Sequence, residues 1–198
     1  KSDTWQFVSS DYSAQTGEIR EIALPDGTRI ILNTATAIDV YFDNQARRIM
    51  LRSGEILITT APDSTAVHRP FRVQSRQGVI EVLGTRFIVR QDTDISHVTV
   101  LEGAIEIHPE HAINTAIRID AGQYTTFSVK QVMSPVTVQE SAATWSKGML
   151  VAENMRVADF VAELRRYRPG LLRCDPAVAD LRATGVFPLH DTDPALLN

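Results

Sequence analysis

The chain has 198 residues, of which 43% are hydrophobic and 22% charged, and its formal net charge is −4. That is enough for one large domain or two small ones, and the acidic balance argues against a nucleic-acid partner, whose phosphates select a basic face. A single cysteine, Cys174, excludes an intrachain disulfide and a cysteine-rich zinc site, and no run approaches the roughly 20 apolar residues needed to cross a bilayer.

Residues 1–16 read as a polar lead-in whose large apolar groups are Trp5, Phe7 and Tyr12. From residue 17 to 140 turn signals come at short intervals, the pattern of an all-β domain. Strands are predicted at Arg20–Leu24 and Arg29–Leu32 around the turn Pro25-Asp26-Gly27-Thr28, where Pro presets φ and Gly accepts positive φ. Ala37–Phe42 and Arg47–Leu51 flank Asp43-Asn44-Gln45 as a second hairpin, and Ser53-Gly54 turns the chain into Glu55–Thr60. After a loop over 61–69, Phe71–Gln74 restarts the sheet. The stretch Val79–Ile107 then alternates apolar and polar residues (Phe87 and Val89, Val98 and Val100, Ile105 and Ile107), which puts one set on one face of half-buried strands. Gly84-Thr85 marks a bulge or bend, and Glu102-Gly103 a two-residue hairpin loop. Thr115–Ile119 and Tyr124–Val129 complete roughly a dozen short strands. That is too many for one flat sheet, so an antiparallel β roll or sandwich is expected.

The period changes after residue 140. Residues 141–147 read as a linker anchored by Trp145, and as a hinge. Met149–Ala152 is a candidate strand. Val157, Phe160, Val161, Leu164 and Tyr167 recur at three- and four-residue spacing and define one helix face. Pro169-Gly170 ends that helix. Leu171–Asp175 and Leu181–Phe187 are further candidate strands, and Asp193-Pro194 a helix start. Residues 148–198 therefore read as a small α/β (βαβ) unit, separate from the β domain and cut short at Asn198. Opening on Lys1 without a signal-peptide pattern, the chain reads as an excised soluble fragment of something longer.

Signatures of catalysis are missing. No Gly-x-Ser-x-Gly elbow, phosphate loop or dinucleotide fingerprint occurs, so neither an enzyme nor a cofactor is expected. His108 and His111, split by Pro109, have no companion ligands at metal-binding spacing. Glu55, Glu81, Glu102 and Glu106 read as outward, solvated strand positions. Arg47-Arg48 and Arg165-Arg166 read as solvated pairs, and Cys174 as a structural thiol.

Several motifs in fixed order nevertheless carry a resemblance. Ala14-Gln15-Thr16-Gly17-Glu18, Leu24-Pro25-Asp26-Gly27-Thr28, Leu32-Asn33-Thr34, Arg52-Ser53-Gly54-Glu55, Arg69-Pro70-Phe71, Leu83-Gly84-Thr85-Arg86-Phe87, Leu101-Glu102-Gly103 and Ala121-Gly122-Gln123, continued by Trp145-x-x-Gly148 and Arg166-Tyr167, resemble the periplasmic part of FecR-type anti-sigma regulators. The resemblance covers about residues 11–198. It implies a periplasmic fragment of a single-pass inner-membrane protein, whose missing cytoplasmic domain holds an extracytoplasmic-function sigma factor. It also implies a partner, the N-terminal signalling domain of an outer-membrane TonB-dependent siderophore transporter. Residues from Gly148 onward are similar to the secretin and TonB N-terminal fold. An unpaired sheet edge in that unit is a template for strand addition. The candidate partner-binding residues are accordingly Leu171, Leu172, Leu181, Arg182, Ala183, Thr184, Gly185, Val186 and Phe187. A carbohydrate-binding jelly roll and a purely structural β roll are the competing readings, the former requiring an aromatic-lined groove with paired carboxylates.

Overall fold

The computed structural model describes residues 10–65, 68–82, 84–112, 116–138 and 140–190. Fifteen strands run in chain order among them. The first seven are β1 (Tyr12–Ala14), β2 (Arg20–Ala23), β3 (Arg29–Leu32), β4 (Thr36–Phe42), β5 (Arg47–Thr59), β6 (Phe71–Ser75) and β7 (Gly78–Val82). Then come β8 (Arg86–Gln91), β9 (Ser96–Glu102), β10 (Ala104–Pro109), β11 (Ile117–Asp120), β12 (Gln123–Phe127) and β13 (Val136–Thr137). A 3-10 helix at Glu140–Lys147 leads into β14 (Met149–Arg156), helix α1 (Val157–Arg165) and β15 (Arg182–Pro188).

The first thirteen strands curl into two facing layers. One layer runs β11-β10-β7-β6-β5-β4-β1 and the other β2-β3-β5-β8-β9-β12-β13, so β5 belongs to both. Its first half pairs with β4 and β6, and its second half with β3 and β8. Between the layers, Ile38, Ile49, Leu51, Phe71, Val73, Ile80, Ile105 and Ile107 meet Leu32, Ile56, Ile58, Phe87, Val89, Val98 and Val100 in one buried cluster. Each such side chain contributes about 1.5–3 kcal/mol by leaving water. Period-two alternation produces this directly, since every second residue of a strand faces the same side.

Most predicted strands stand within a residue or two, and four local expectations are corrected. Ser53-Gly54 is a bend inside one 13-residue strand rather than a turn. A glycine is required there: φ is +89°, and a Cβ would lie 2.2 Å from Thr36 Oγ1. Glu102-Gly103 closes no hairpin. β9 pairs with β8 and β12, while β10 pairs with β7 and β11, so Gly103 carries the chain from one layer to the other. One pair, β5 with β6, is parallel in an otherwise antiparallel roll. Leu171–Asp175 forms no strand: between Gly170 and Pro176 it has no neighbouring strand to pair with. The small unit is therefore a two-stranded antiparallel sheet, β14-β15, with α1 connecting its strands. The expected helix start at Asp193-Pro194, the lead-in residues Trp5 and Phe7, and Leu83 of the Leu-Gly-Thr-Arg-Phe motif lie outside the described residues.

Candidate functional site

The outer face of the second layer is not solvated. Three of its strands carry three consecutive apolar residues, Ile30-Ile31-Leu32, Ile56-Leu57-Ile58 and Phe87-Ile88-Val89. The middle residues Ile31, Leu57 and Ile88 lie in register across β3, β5 and β8, pointing away from the roll's core. The small unit covers them. Leu57 and Ile88 share a second buried cluster with Trp145, Ala152, Phe160, Leu164, Tyr167 and Leu189, and Ile31, Leu150, Met155 and Phe187 pack at its margin. Phe160 and Phe187 meet in a tilted ring contact, 4.6 Å between centroids. The predicted linker is thus a helical turn whose Trp145, 7% exposed, belongs to the core shared by both units.

One register row further along, Asn33, Glu55, Arg90 and His97 line up on the same face, and α1 lowers its C-terminal end onto them. The Arg166 guanidinium donates to Glu55 Oε2 at 2.6 Å and to Glu163 Oε2 at 2.8 Å. Arg90 donates to Glu163 Oε1 at 2.7 Å and to Asp92 Oδ1 at 3.2 Å. His97 continues the chain, its Nε2 2.9 Å from Asp92 Oδ2 and its Nδ1 2.7 Å from the Tyr124 hydroxyl. Asn33 Nδ2 donates to both Glu55 Oε2 and the Tyr167 hydroxyl, each at 2.8 Å. Thr34 Oγ1 donates to the Arg166 carbonyl at 2.8 Å, satisfying one of the carbonyls a helix C-terminus leaves unpaired. Gly17 accommodates the same corner: at φ +83°, a Cβ there would stand 2.8 Å from the Tyr167 carbonyl.

These contacts correct three charge assignments. Glu55 is 8% exposed and ion-paired rather than solvated. Arg166 parts from exposed Arg165 and turns inward. Arg47 is likewise buried, with its Nη1 2.9 Å from Asp26 Oδ2 and its guanidinium over the Phe71 ring. Electrostatics at the junction follow from burial competing with pairing. Burial alone raises the Glu163 carboxyl, but Arg166 and Arg90 outweigh it and hold the group below its ordinary range. Burial weakens the Arg166 charge, and Glu55 with Glu163 more than restores it. Burial pushes the Tyr167 phenol up to about 12. Glu55 and Glu163 are each tied to a guanidinium, which suits a structural clamp between the units.

The predicted partner-binding residues fall into two groups. Ala183, Gly185 and Phe187 face inward on β15, and Phe187 packs with Leu172 at the margin of the shared cluster. Arg182, Thr184 and Val186 face solvent, as do Leu171 and Leu181 at 68% and 59% exposure. Among the described residues β15 pairs with β14 alone. Leu189 N–H donates to the Gly148 carbonyl and the Leu181 carbonyl accepts from Val157 N–H, so odd-numbered residues turn their backbone groups toward β14. By alternation, the backbone groups of Arg182, Thr184 and Val186 face the open edge. The junction residues Asn33, Glu55, Arg90, Glu163, Arg166 and Tyr167 were not anticipated as a site. The three consecutive-apolar runs were the available signal, because strands buried on both faces lose alternation.

Residues 10–106 match the family described as FecR protein. Two crystal structures of candidate anti-sigma factors from Parabacteroides distasonis ATCC 8503 share the fold. One has a TM-score of 0.74 at 22% identity, covering 94% of this chain and 87% of that one. The other has a TM-score of 0.71 at 21% identity, covering 94% and 88%. No curated protein matches. Coverage of 94% extends well past the roll, so the likeness includes the junction and the small unit. Residues 10–106 are thus similar to the FecR protein family, and over the rest of the chain the likeness is one of fold.

Proposed function

We propose that this chain is the signal-receiving part of an anti-sigma regulator, and that it takes its signal by adding a partner's strand to the open edge of β15. The observation that carries the proposal is that edge: one side of β15 is paired, the other unpaired among the described residues, with Leu181 and Val186 exposed along it. Unpaired edges recruit extended segments through main-chain hydrogen bonds, with alternate side chains supplying specificity. The FecR match and the two structural neighbours supply the regulatory context. In that context the partner is the N-terminal signalling domain of an outer-membrane TonB-dependent siderophore transporter. The chain then works in the periplasm, and a cytoplasmic domain elsewhere in the protein engages the sigma factor under iron-uptake control. The small unit takes the place of the secretin and TonB N-terminal-like subdomain.

Proline tests the edge cleanly. At Val186 it deletes a donor that faces away from β14, so the β14-β15 pairing survives. Calorimetric titration of the chain with such a signalling domain is expected to show binding, and Val186→Pro to weaken it at least tenfold while leaving the thermal transition in place. Unchanged affinity for Val186→Pro and for Thr184→Pro would remove strand addition from the mechanism.

A further inference from the structure

We propose that the outer face of the first layer, on the far side of the roll from the small unit, is a second protein-docking surface that accepts an extended acidic segment in which carboxylates flank an apolar side chain. The two outer faces of the roll differ in kind. That of the second layer is apolar along Ile31, Leu57 and Ile88 and is already covered by the small unit. That of the first is open, and β5 displays Arg48, Met50 and Arg52 on it at alternate positions. An open trough of about 660 Å³ runs beside these three, bordered also by Gln74, Arg76 and Glu110. A second trough of about 330 Å³ shares Arg48 and Gln74 and extends along Arg72 and His108.

Charge decides which occupant fits. Arg52 is oriented by the buried carboxylate of Asp39, and Arg72 is paired with Glu81 at 2.9 Å. Arg48 and Arg76 are exposed, and neither has a carboxylate within ion-pair distance among the described residues; Arg48 feels Asp43 only at longer range. A chain that is acidic overall thus presents two uncompensated guanidinium groups around Met50, an apolar side chain left 37% exposed. Alternate side chains on β5 recur about every 6.4–6.8 Å, the same repeat as alternate side chains of any extended peptide laid along it. Laid in the trough, such a peptide sets its apolar side chain against Met50 and its acids toward Arg48 and Arg76, which line the same trough, and arginine binds carboxylate through paired hydrogen bonds. Glu110 at the rim repels a uniformly anionic surface locally and favours a segment whose carboxylates are spaced to avoid it. A phospholipid headgroup layer lacks that spacing.

The test uses the whole 198-residue chain and a fluorescent peptide of sequence Gly-Asp-Thr-Leu-Thr-Asp-Gly, read by polarisation, beside vesicles containing anionic phospholipid. The expected result is saturable peptide binding that weakens with salt and drops at least tenfold in the double variant Arg48→Glu, Arg76→Glu. Met50→Asp is expected to weaken it similarly, and a peptide with lysine for aspartate to give no binding. Both variants lie on the surface, and an unchanged circular dichroism spectrum separates lost binding from lost fold. Absence of peptide binding, indifference to the double variant, or binding of vesicles without binding of peptide would each overturn the proposal. None of these results depends on β15.

Discussion

At the residue scale, the decisive group is Glu55. It accepts from Arg166 and Asn33 at once, and it lies where one unit's strand meets the other's helix end. Removing it takes one acceptor from the buried Asn33 amide and leaves Arg166 with Glu163 as its remaining carboxylate, and breaking a buried pair costs more than the pair contributed. Glu55→Ala is expected to lower stability by about 3 kcal/mol, a fall in melting temperature of roughly 6–12 °C for a chain of this size. Replacing both partners, Glu55→Leu with Arg166→Met, is expected to recover much of that loss. A double-mutant cycle by thermal denaturation checks it: equal loss in single and double variants would mean that the ion pair is incidental.

At the scale of elements, the junction depends on an apolar row that no single strand reveals. Leu57 is buried beneath the small unit while its neighbours Ile56 and Ile58 serve the roll's own core. Leu57→Glu is therefore expected to lift α1 and β14-β15 off the roll while sparing the roll itself. Trp145 emission, measured in a Trp5→Phe background, is expected to shift to the red, and near-complete far-ultraviolet signal from the strands to persist. Unshifted emission would show that the polar clamp alone holds the units together. The strands were legible because alternation and turn residues are local; β3 and the β4-β5 hairpin emerge from them with little error. The layer crossing at Gly103 was not, since a Gly after an acid between two apolar runs reads as a hairpin until the pairing partners of both strands are known. Glu55 and Arg166 were illegible for a related reason: alternation identifies the outer face of a strand, and only tertiary packing decides whether that face meets water or another unit. For the edge of β15 the sequence located the strand correctly, while the missing neighbour at Leu171–Asp175 needed the structure.

At the scale of the whole molecule, docking of the units is tied to protonation. Glu163 is held below its ordinary range by Arg166 and Arg90, so its contribution is fully present above the unfolded carboxylate value of about 4.3. It is lost as pH falls through the lower folded value. Tyr167 behaves oppositely at the other end. Its folded value of about 12 lies above the ordinary phenol value of 10.0, so stability declines between the two as the unfolded chain ionises first. Melting temperature is expected to be flat from pH 6 to 9 and to fall outside pH 4–10. Glu163→Gln is expected to flatten the acid limb and Tyr167→Phe the alkaline one, the latter at the expense of the bond to Asn33. An acid limb indifferent to Glu163→Gln would assign it to other carboxylates.

The 13 residues of β5 also govern how the molecule comes into being. Because both layers hang on one continuous strand, neither can close before it is placed, and the roll assembles in a single cooperative event rather than layer by layer. The strands on either side of Gly103 each also pair beyond their chain neighbour, β10 with β7 and β9 with β12, and such nonlocal pairing places folding in the millisecond-to-second range typical of β topologies. The seat of α1 is the outer face of the second layer, so the small unit is expected to order last and to be released first. A protease cut within Arg47–Thr59 would therefore undo the whole roll at a stroke, while a cut within the segment 168–181 would leave it standing.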